Sequence, residues 1–549
     1  MTWARARLLR EPTAENVIDS WTIGFAVSFC ALFVVAHWRV QYFTPILGAA
    51  CLVSTVYWAR RTTVKRMVAS RAWTTPLVWA SLLSFAIRTA PLVARDFPLG
   101  WDPYFHLVLA DRILRTGRVI DSWRPYEDIA LNYPVGAHLL LAWVSSVTGC
   151  PLHRLFDLAI AFFTSLAGLQ IFAWVRRSIP GEPGREIALY AMLAFLFSAV
   201  LGSLGYALWG GLPNLMAMYL FVGLVSLLRW GGRRYVCFAV LFVALSTIHH
   251  HVMVAAGGVL AWLWIYSRWI RRDDELRADV TWGLVASAIL GAPYFVPYAI
   301  RVVTLPSTGI GGFTEPLAGL HALVISLGPF TFFVIIGAIY YMAMRDRPPV
   351  APSYVQSIVA LLGMYVLLQY GWRLVELLAR GRSFAPFTPS RFLTDAVMGA
   401  SMFAGLFAYE TRRLLHRGRT LAIALMVGGI VFNIPVYQAL FKDDVRQDRV
   451  DAYEWIRSNS DPRAGILTGD VYATYVARRT ASEMPLPSSE YESMAVNRSR
   501  LRKIAAKEIP PSAFEQQVLA TMDANQEPDS GKVVWRHPRT GFKVVQLFP

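Results

Sequence analysis

Asp102 and His106 stand four residues apart in the run Gly100-Trp101-Asp102-Pro103-Tyr104-Phe105-His106. On a helix that spacing puts both side chains on one face. A carboxylate beside an imidazole can take a proton from an attacking group. The same pair can hold a hard divalent cation such as Mg2+ or Mn2+. An aspartate ahead of a proline is also the ordinary opening of a helix, and the spacing leaves both readings standing. Asp121, Glu127 and Asp128 add carboxylates to the polar run that ends at Tyr133-Pro134.

Other groups along the chain carry polar chemistry between apolar segments. Glu315 follows glycines in Gly311-Gly-Phe-Thr-Glu-Pro316. Such a loop can close an acid over a site, or the acid can cap the next helix. Arg380, Arg382 and Arg391 lie close together in Arg380-Gly-Arg-Ser-Phe-Ala-Pro-Phe-Thr-Pro-Ser-Arg391. Arginine binds phosphate through a bidentate fork, and it also snorkels to a membrane interface. His249-His250-His251 falls between two apolar windows, and Trp209-Gly-Gly-Leu-Pro-Asn214 opens another. Adjacent histidines on one helix cannot all face one metal, so at most His250 or His251 is expected to face a site.

The elements that must position these residues are membrane helices. Of the 549 residues, 55% are hydrophobic and 16% charged, and the mean hydropathy is +0.42. Continuous apolar windows recur at 21–38, 43–59, 73–94, 155–175, 187–204, 214–228, 235–248, 252–269, 280–300, 317–344, 354–372, 392–409 and 421–440. Unbroken runs of about 18–22 residues span hydrocarbon as helices; barrel strands would alternate instead. The pattern predicts a polytopic α-helical membrane protein of about thirteen transmembrane helices. Residues 135–148 are too short to span and are expected as a re-entrant or surface helix.

A net charge of +17 would suit nucleic acid, but its placement does not. Arg60, Arg61, Arg176, Arg177, Arg233, Arg234, Arg271, Arg272, Arg412 and Arg413 sit in short connections. That is the positive-inside pattern, with anionic membrane lipid as the expected contact. Counted from a cytoplasmic N-terminus in a multi-pass plasma-membrane protein, the basic connections fall inside. Residues 95–134, 301–316, 374–391 and the C-terminal tail fall outside. The four cysteines show neither a disulfide framework nor zinc spacing. Nucleotide-binding and nucleophile-elbow motifs are absent from the sequence.

Composition changes after Leu440. Residues 1–440 read as the transmembrane domain, and 441–549 as a small extracytoplasmic α/β domain. Asp451-Ala-Tyr-Glu-Trp-Ile-Arg457 reads as an amphipathic helix, and segments 465–468, 532–535 and 542–547 as strands.

At Asp102-Pro-Tyr-Phe-His106 and Asn132-Tyr-Pro134 the chain resembles the first external loop of the catalytic subunit of oligosaccharyltransferase, in its archaeal and bacterial single-chain forms. The likeness continues in order through Thr314-Glu315, Arg391-Phe392 and Asp451-Ala-Tyr-Glu-Trp-Ile-Arg-Ser-Asn459. It departs at Trp209–Asn214, which lacks the family's second acidic pair. It departs again at Thr468-Gly-Asp-Val-Tyr472, where only Asp470 and Tyr472 keep the character of the acceptor-reading motif. The resemblance is therefore to the wider class of C-type (GT-C) glycosyltransferases, which use polyprenyl-phosphate or polyprenyl-diphosphate sugars at the outer membrane face.

The resemblance implies transfer of a sugar from such a donor to a protein, glycan or lipid acceptor. Asp102 would be the base or the anchor of a divalent metal, and Glu315 would complete the site. Arg391, with Arg382, would bind the donor phosphate. Asn214, His250, Asp470 and Tyr472 would lie toward the acceptor, and His106 would replace the missing metal ligand. The alternatives are the same fold acting on a lipid or polysaccharide, and a transporter or flippase without enzymatic activity.

Overall fold

The computed structural model describes residues 14–36, 71–100, 102–123, 126, 131, 133–179, 181–197, 206, 211–228, 235–304, 334–339, 352–367, 389–415, 433–441, 445–482, 499–508, 517–526 and 531–548, with a few single positions besides. Helices dominate as far as residue 440, as the apolar windows require. Among the described residues they include α1 (Ala14–Ala36), α2 (Arg71–Thr89), α3 (Asp102–Thr116), α4 (Gly136–Thr148), α5 (Leu152–Ser178), α6 (Gly181–Leu196), α7 (Leu212–Ser226), α8 (Tyr235–Ile248), α9 (His250–Ile265), α10 (Asp274–Thr304), α11 (Pro352–Val366), α12 (Pro389–Leu415) and α13 (Ile434–Leu440). The expected spans at 43–59 and most of 317–344 lie outside the described residues.

Among the described residues, five stretches are long and apolar enough to cross a membrane: Glu15–Ala36, Pro76–Val93, Leu152–Ser178, His250–Ile270 and Asp274–Ile300. Their outer faces are apolar. Trp79 is 65% exposed, Trp282 55% and Ile289 73%. Side chains of that size turned outward along spanning helices face lipid. The chain is a multi-pass membrane protein.

Ion pairs fix which helix ends lie together. Arg177 near the end of α5 pairs with Asp19 near the start of α1, and Arg177 also donates to Ser226 Oγ, the last residue of α7, at 3.0 Å. Glu186 near the start of α6 pairs with Arg412 near the end of α12. One end of the bundle therefore gathers the arginine-rich connections. At the opposite end Arg95, just past α2, pairs with Asp157 near the start of α5 at 2.8 Å. There the Val119 N–H also donates to the carbonyl of Ala36, the last residue of α1, at 3.3 Å. Because α12 ends among the arginines, its first turn, which contains Arg391, lies at the Asp157 end.

The deep polar groups of α1 are satisfied inside the bundle. Gln170 Nε2 donates to Asp19 at 2.6 Å. Thr22 Oγ1 contacts Gln170 Oε1 at 2.7 Å and the Tyr219 hydroxyl at 2.8 Å. In hydrocarbon an unmet polar atom costs several kcal/mol, so this chain of contacts fixes how α1 sits against α5 and α7.

Among the described residues beyond 445 are α14 (Gln447–Asn459), α15 (Ala473–Ala477), a helical stretch at 499–505 and five strands: β1 (Ala464–Leu467), β2 (Thr480–Ala481), β3 (Gln517–Met522), β4 (Lys532–Arg536) and β5 (Lys543–Phe548). The strand order is β2-β1-β3-β5-β4. β1 runs parallel to β2 and β3, while β5 is antiparallel to β3 and β4. Buried residues of α14, β1 and α15 belong to the same apolar cluster as the bundle. The C-terminal unit is packed onto the helices by continuous apolar contact. It docks on α3, where Arg478 donates to Asp111 at 2.8 Å.

Candidate active site

The helix carrying Asp102 is defined by its ends. Asp102 opens α3 with Pro103 behind it. An acid and a proline in the first turn suit the unpaired N–H groups and the positive end of the helix dipole. Gly117 closes the helix with φ 64°, and its N–H donates to the Ile113 carbonyl at 2.8 Å. Residues Pro103 to Ile113 are buried on every side, so α3 is clamped rather than floating at the surface. Asp102 itself is half-buried at the helix mouth.

His106, one turn further on, meets a partner that spacing did not reveal. Its Nδ1 lies 2.9 Å from Nε2 of His138. His138 sits on α4, the short helix, and is fully buried, while His106 is 6% exposed. Burial pushes His138 down to about 3, so it is neutral at physiological pH. The His106 ring stacks on Phe156 of α5, with centroids 6.0 Å apart at 17°. Tyr133 packs edge-on to His138 at 5.7 Å, to His249 at 6.1 Å and to His250 at 5.5 Å. Tyr133 thus joins the α3–α4 pair to the corner between α8 and α9.

In that corner both His249 and His250 stand beside Tyr133. His249 is extended, with φ −153° and ψ 119°, so the one-face limit of a helix does not bind it. The rings of His249 and His250 stack at 5.2 Å and both meet Tyr133, while His251 is 1% exposed.

α4 reaches this corner because Gly136 has no side chain. A Cβ there would stand 2.6 Å from the Thr247 carbonyl oxygen and 2.6 Å from the ring of Phe29. The contact brings α4 against α8 and α1 and sets His138 opposite His106.

The other expected site residues are placed as follows. Asn214 is buried in the first turn of α7, at the same end of the bundle. The backbone of Arg391 lies in the first turn of α12. Glu315 and Arg382 lie outside the described residues. Asp470 and Tyr472 face inward. Asp470 pairs with Arg449 and accepts the Tyr453 hydroxyl at 2.6 Å. Tyr472 is 4% exposed and packs on Tyr104 at 5.8 Å and Phe97 at 6.4 Å. Tyr104 is two residues from Asp102, so Tyr472 touches a different face of α3 from the one Asp102 shares with His106.

Among the described residues no group of three or more His, Cys, Asp or Glu side chains is arranged to hold a metal ion. His106 turns Nδ1 to His138.

No family model and no curated protein matches the sequence. Solved structures do. The chain is similar to ArnT from Cupriavidus metallidurans, bound to undecaprenyl phosphate, at 12% identity, with 87% of this chain and 98% of that one covered and a TM-score of 0.58. It is similar to the arabinofuranosyltransferase AftD from mycobacteria at 15% identity, covering 86% of this chain but 41% of that one, with a TM-score of 0.52. The archaeal oligosaccharyltransferase AglB from Archaeoglobus fulgidus, in complex with an inhibitory peptide and a dolichol phosphate, matches at 13% identity, with 83% and 70% covered and a TM-score of 0.49. On the first two likenesses, the chain shares the fold of ArnT and AftD.

Proposed function

We propose that the chain is a membrane glycosyltransferase that moves a sugar from a polyprenyl-phosphate or polyprenyl-diphosphate donor to an acceptor at the outer face of the membrane. The observation that carries this reading is Asp102, half-buried at the mouth of the clamped helix α3, at the end where α12 begins with Arg391. The undecaprenyl phosphate bound by the structurally similar ArnT supports the donor class. The arginines gathered at the other end of the bundle support placing Asp102 on the extracytoplasmic side.

In this reading the acceptor oxygen attacks the anomeric carbon from the side opposite the lipid phosphate. Its bond to carbon forms as the carbon–oxygen bond to phosphate breaks, with inversion. Asp102 takes the acceptor proton as that bond forms. Arg391 and Arg382 bind the departing phosphate through charge-assisted hydrogen bonds, and Glu315 completes the site. No step is routed through a metal. The acceptor we favour is a glycan or a lipid, because Asp470 and Tyr472, the residues expected to read a peptide, are occupied by internal contacts.

The test uses purified protein in lipid nanodiscs and labelled polyprenyl-phosphate pentoses and hexoses. Asp102→Asn is expected to lower transfer by about 10²–10⁴-fold with the protein still folded. Transfer near the wild-type rate in that variant overturns the assignment.

A further inference from the structure

Two buried imidazoles in contact are an unusual choice for a core. An apolar pair would fill the space without any polar atom to satisfy. His106 and His138 are 6% and 0% exposed, their nitrogens lie 2.9 Å apart, and Phe105, Tyr133 and Phe156 wall them in. His106 stands one helical turn from Asp102 on the same face of α3, where Cβ atoms are about 5–6 Å apart.

We propose that His106 and His138 position the Asp102 carboxylate, with His138 fixing the ring of His106 and His106 donating from Nε2 to Asp102. The proposal rests on reading Asp102 as the base. A carboxylate only accepts hydrogen bonds, so His106 must carry its proton on Nε2. Its Nδ1 then accepts, and His138 donates from its own Nε2 across the 2.9 Å contact. His138 Nδ1 is left with a lone pair. That nitrogen has no hydrogen-bond partner among the described residues, the nearby Val135 carbonyl falling short of hydrogen-bond geometry. A buried lone pair without a partner is tolerated better than a buried N–H without one. One proton thus fixes two rings, and the second ring holds one carboxylate oxygen and leaves the other turned to the acceptor. The logic is that of a base oriented by a third group.

The experiment compares wild type, Asp102→Asn, His138→Leu, His138→Gln and the double variant His106→Leu with His138→Leu. Each is purified in nanodiscs and assayed with the labelled polyprenyl-phosphate sugars. His138→Leu is expected to lower kcat by about ten- to a hundredfold, with the donor KM within about twofold. His138→Gln, whose amide N–H can replace the donor, is expected to restore most of kcat. The double leucine variant buries no orphaned nitrogen, so it is expected to melt at or above the wild-type temperature while its kcat stays down. Wild-type kcat in the double variant, with Asp102→Asn inactive, would show that the pair only packs and would overturn this proposal alone. Full transfer by Asp102→Asn, or none by the wild type, removes the base reading and this proposal with it.

Discussion

Arg95 and Asp157 show how a single pair of residues holds the site in place. Their ion pair is 3% and 5% exposed, and it ties the chain just before α3 to the top of α5. Removing one partner leaves the other charge buried and alone, which typically costs about 3–5 kcal/mol. Asp157→Asn is expected to lower stability by that order in chemical denaturation of the detergent-solubilised protein. Adding Arg95→Met should recover much of the loss, since the uncompensated charge is then gone. A single variant as stable as wild type would mean that water reaches the pair. Asp102 has a different status: it sits half-exposed at a helix mouth, where an acid can exchange protons with an incoming molecule.

Among the elements, α4 decides most about the site. It has 13 residues, too few to span, and it comes closest to α8 at Gly136. A methyl group there meets a backbone carbonyl, which cannot rotate away. Gly136→Ala is expected to cost about 1–3 kcal/mol and to lower transfer as well, because the shift carries His138 off His106. Thermal melting and the transfer assay on one preparation check both. Stability lost with transfer intact would separate α4 packing from the site.

The whole molecule couples its two parts through α3. Asp111 accepts from Arg115 at 2.8 Å and from Arg478 of the C-terminal unit at 2.8 Å. Tyr472 lies against Tyr104, and Tyr475 meets His153 at 3.3 Å. The helix that presents Asp102 is therefore held from behind by the C-terminal sheet unit. Arg478→Ala is expected to speed amide hydrogen exchange in α15 and in the last turns of α3, with the center of the bundle unchanged. Exchange at wild-type rates in both would mean that the apolar contacts hold the joint without the ion pair.

Long apolar windows announced the helices, since a membrane span needs an unbroken run and little else. Asp102 was legible for a similar reason: a carboxylate, a proline and a histidine at helical spacing form a local signal. So was the short helix at 135–148, whose length alone forbade a span. Strands β2 and β3 were missed, because a two-residue strand and the run Gln517–Met522 carry little alternation. His138 was missed because a single histidine in Gly136-Ala-His-Leu-Leu-Leu141 has no periodicity to mark it. Its partner lies 32 residues away, and only the packing of α4 through Gly136 brings the rings together. The inward turn of Asp470 and Tyr472 also needed the tertiary structure, since what an exposed-looking polar residue touches depends on which helix the sheet is packed against. Sequence by itself marked the apolar helices and the place of Asp102 at a helix start. Tertiary structure decided that His138 stands against His106, because a contact between distant segments is set by how helices close on one another.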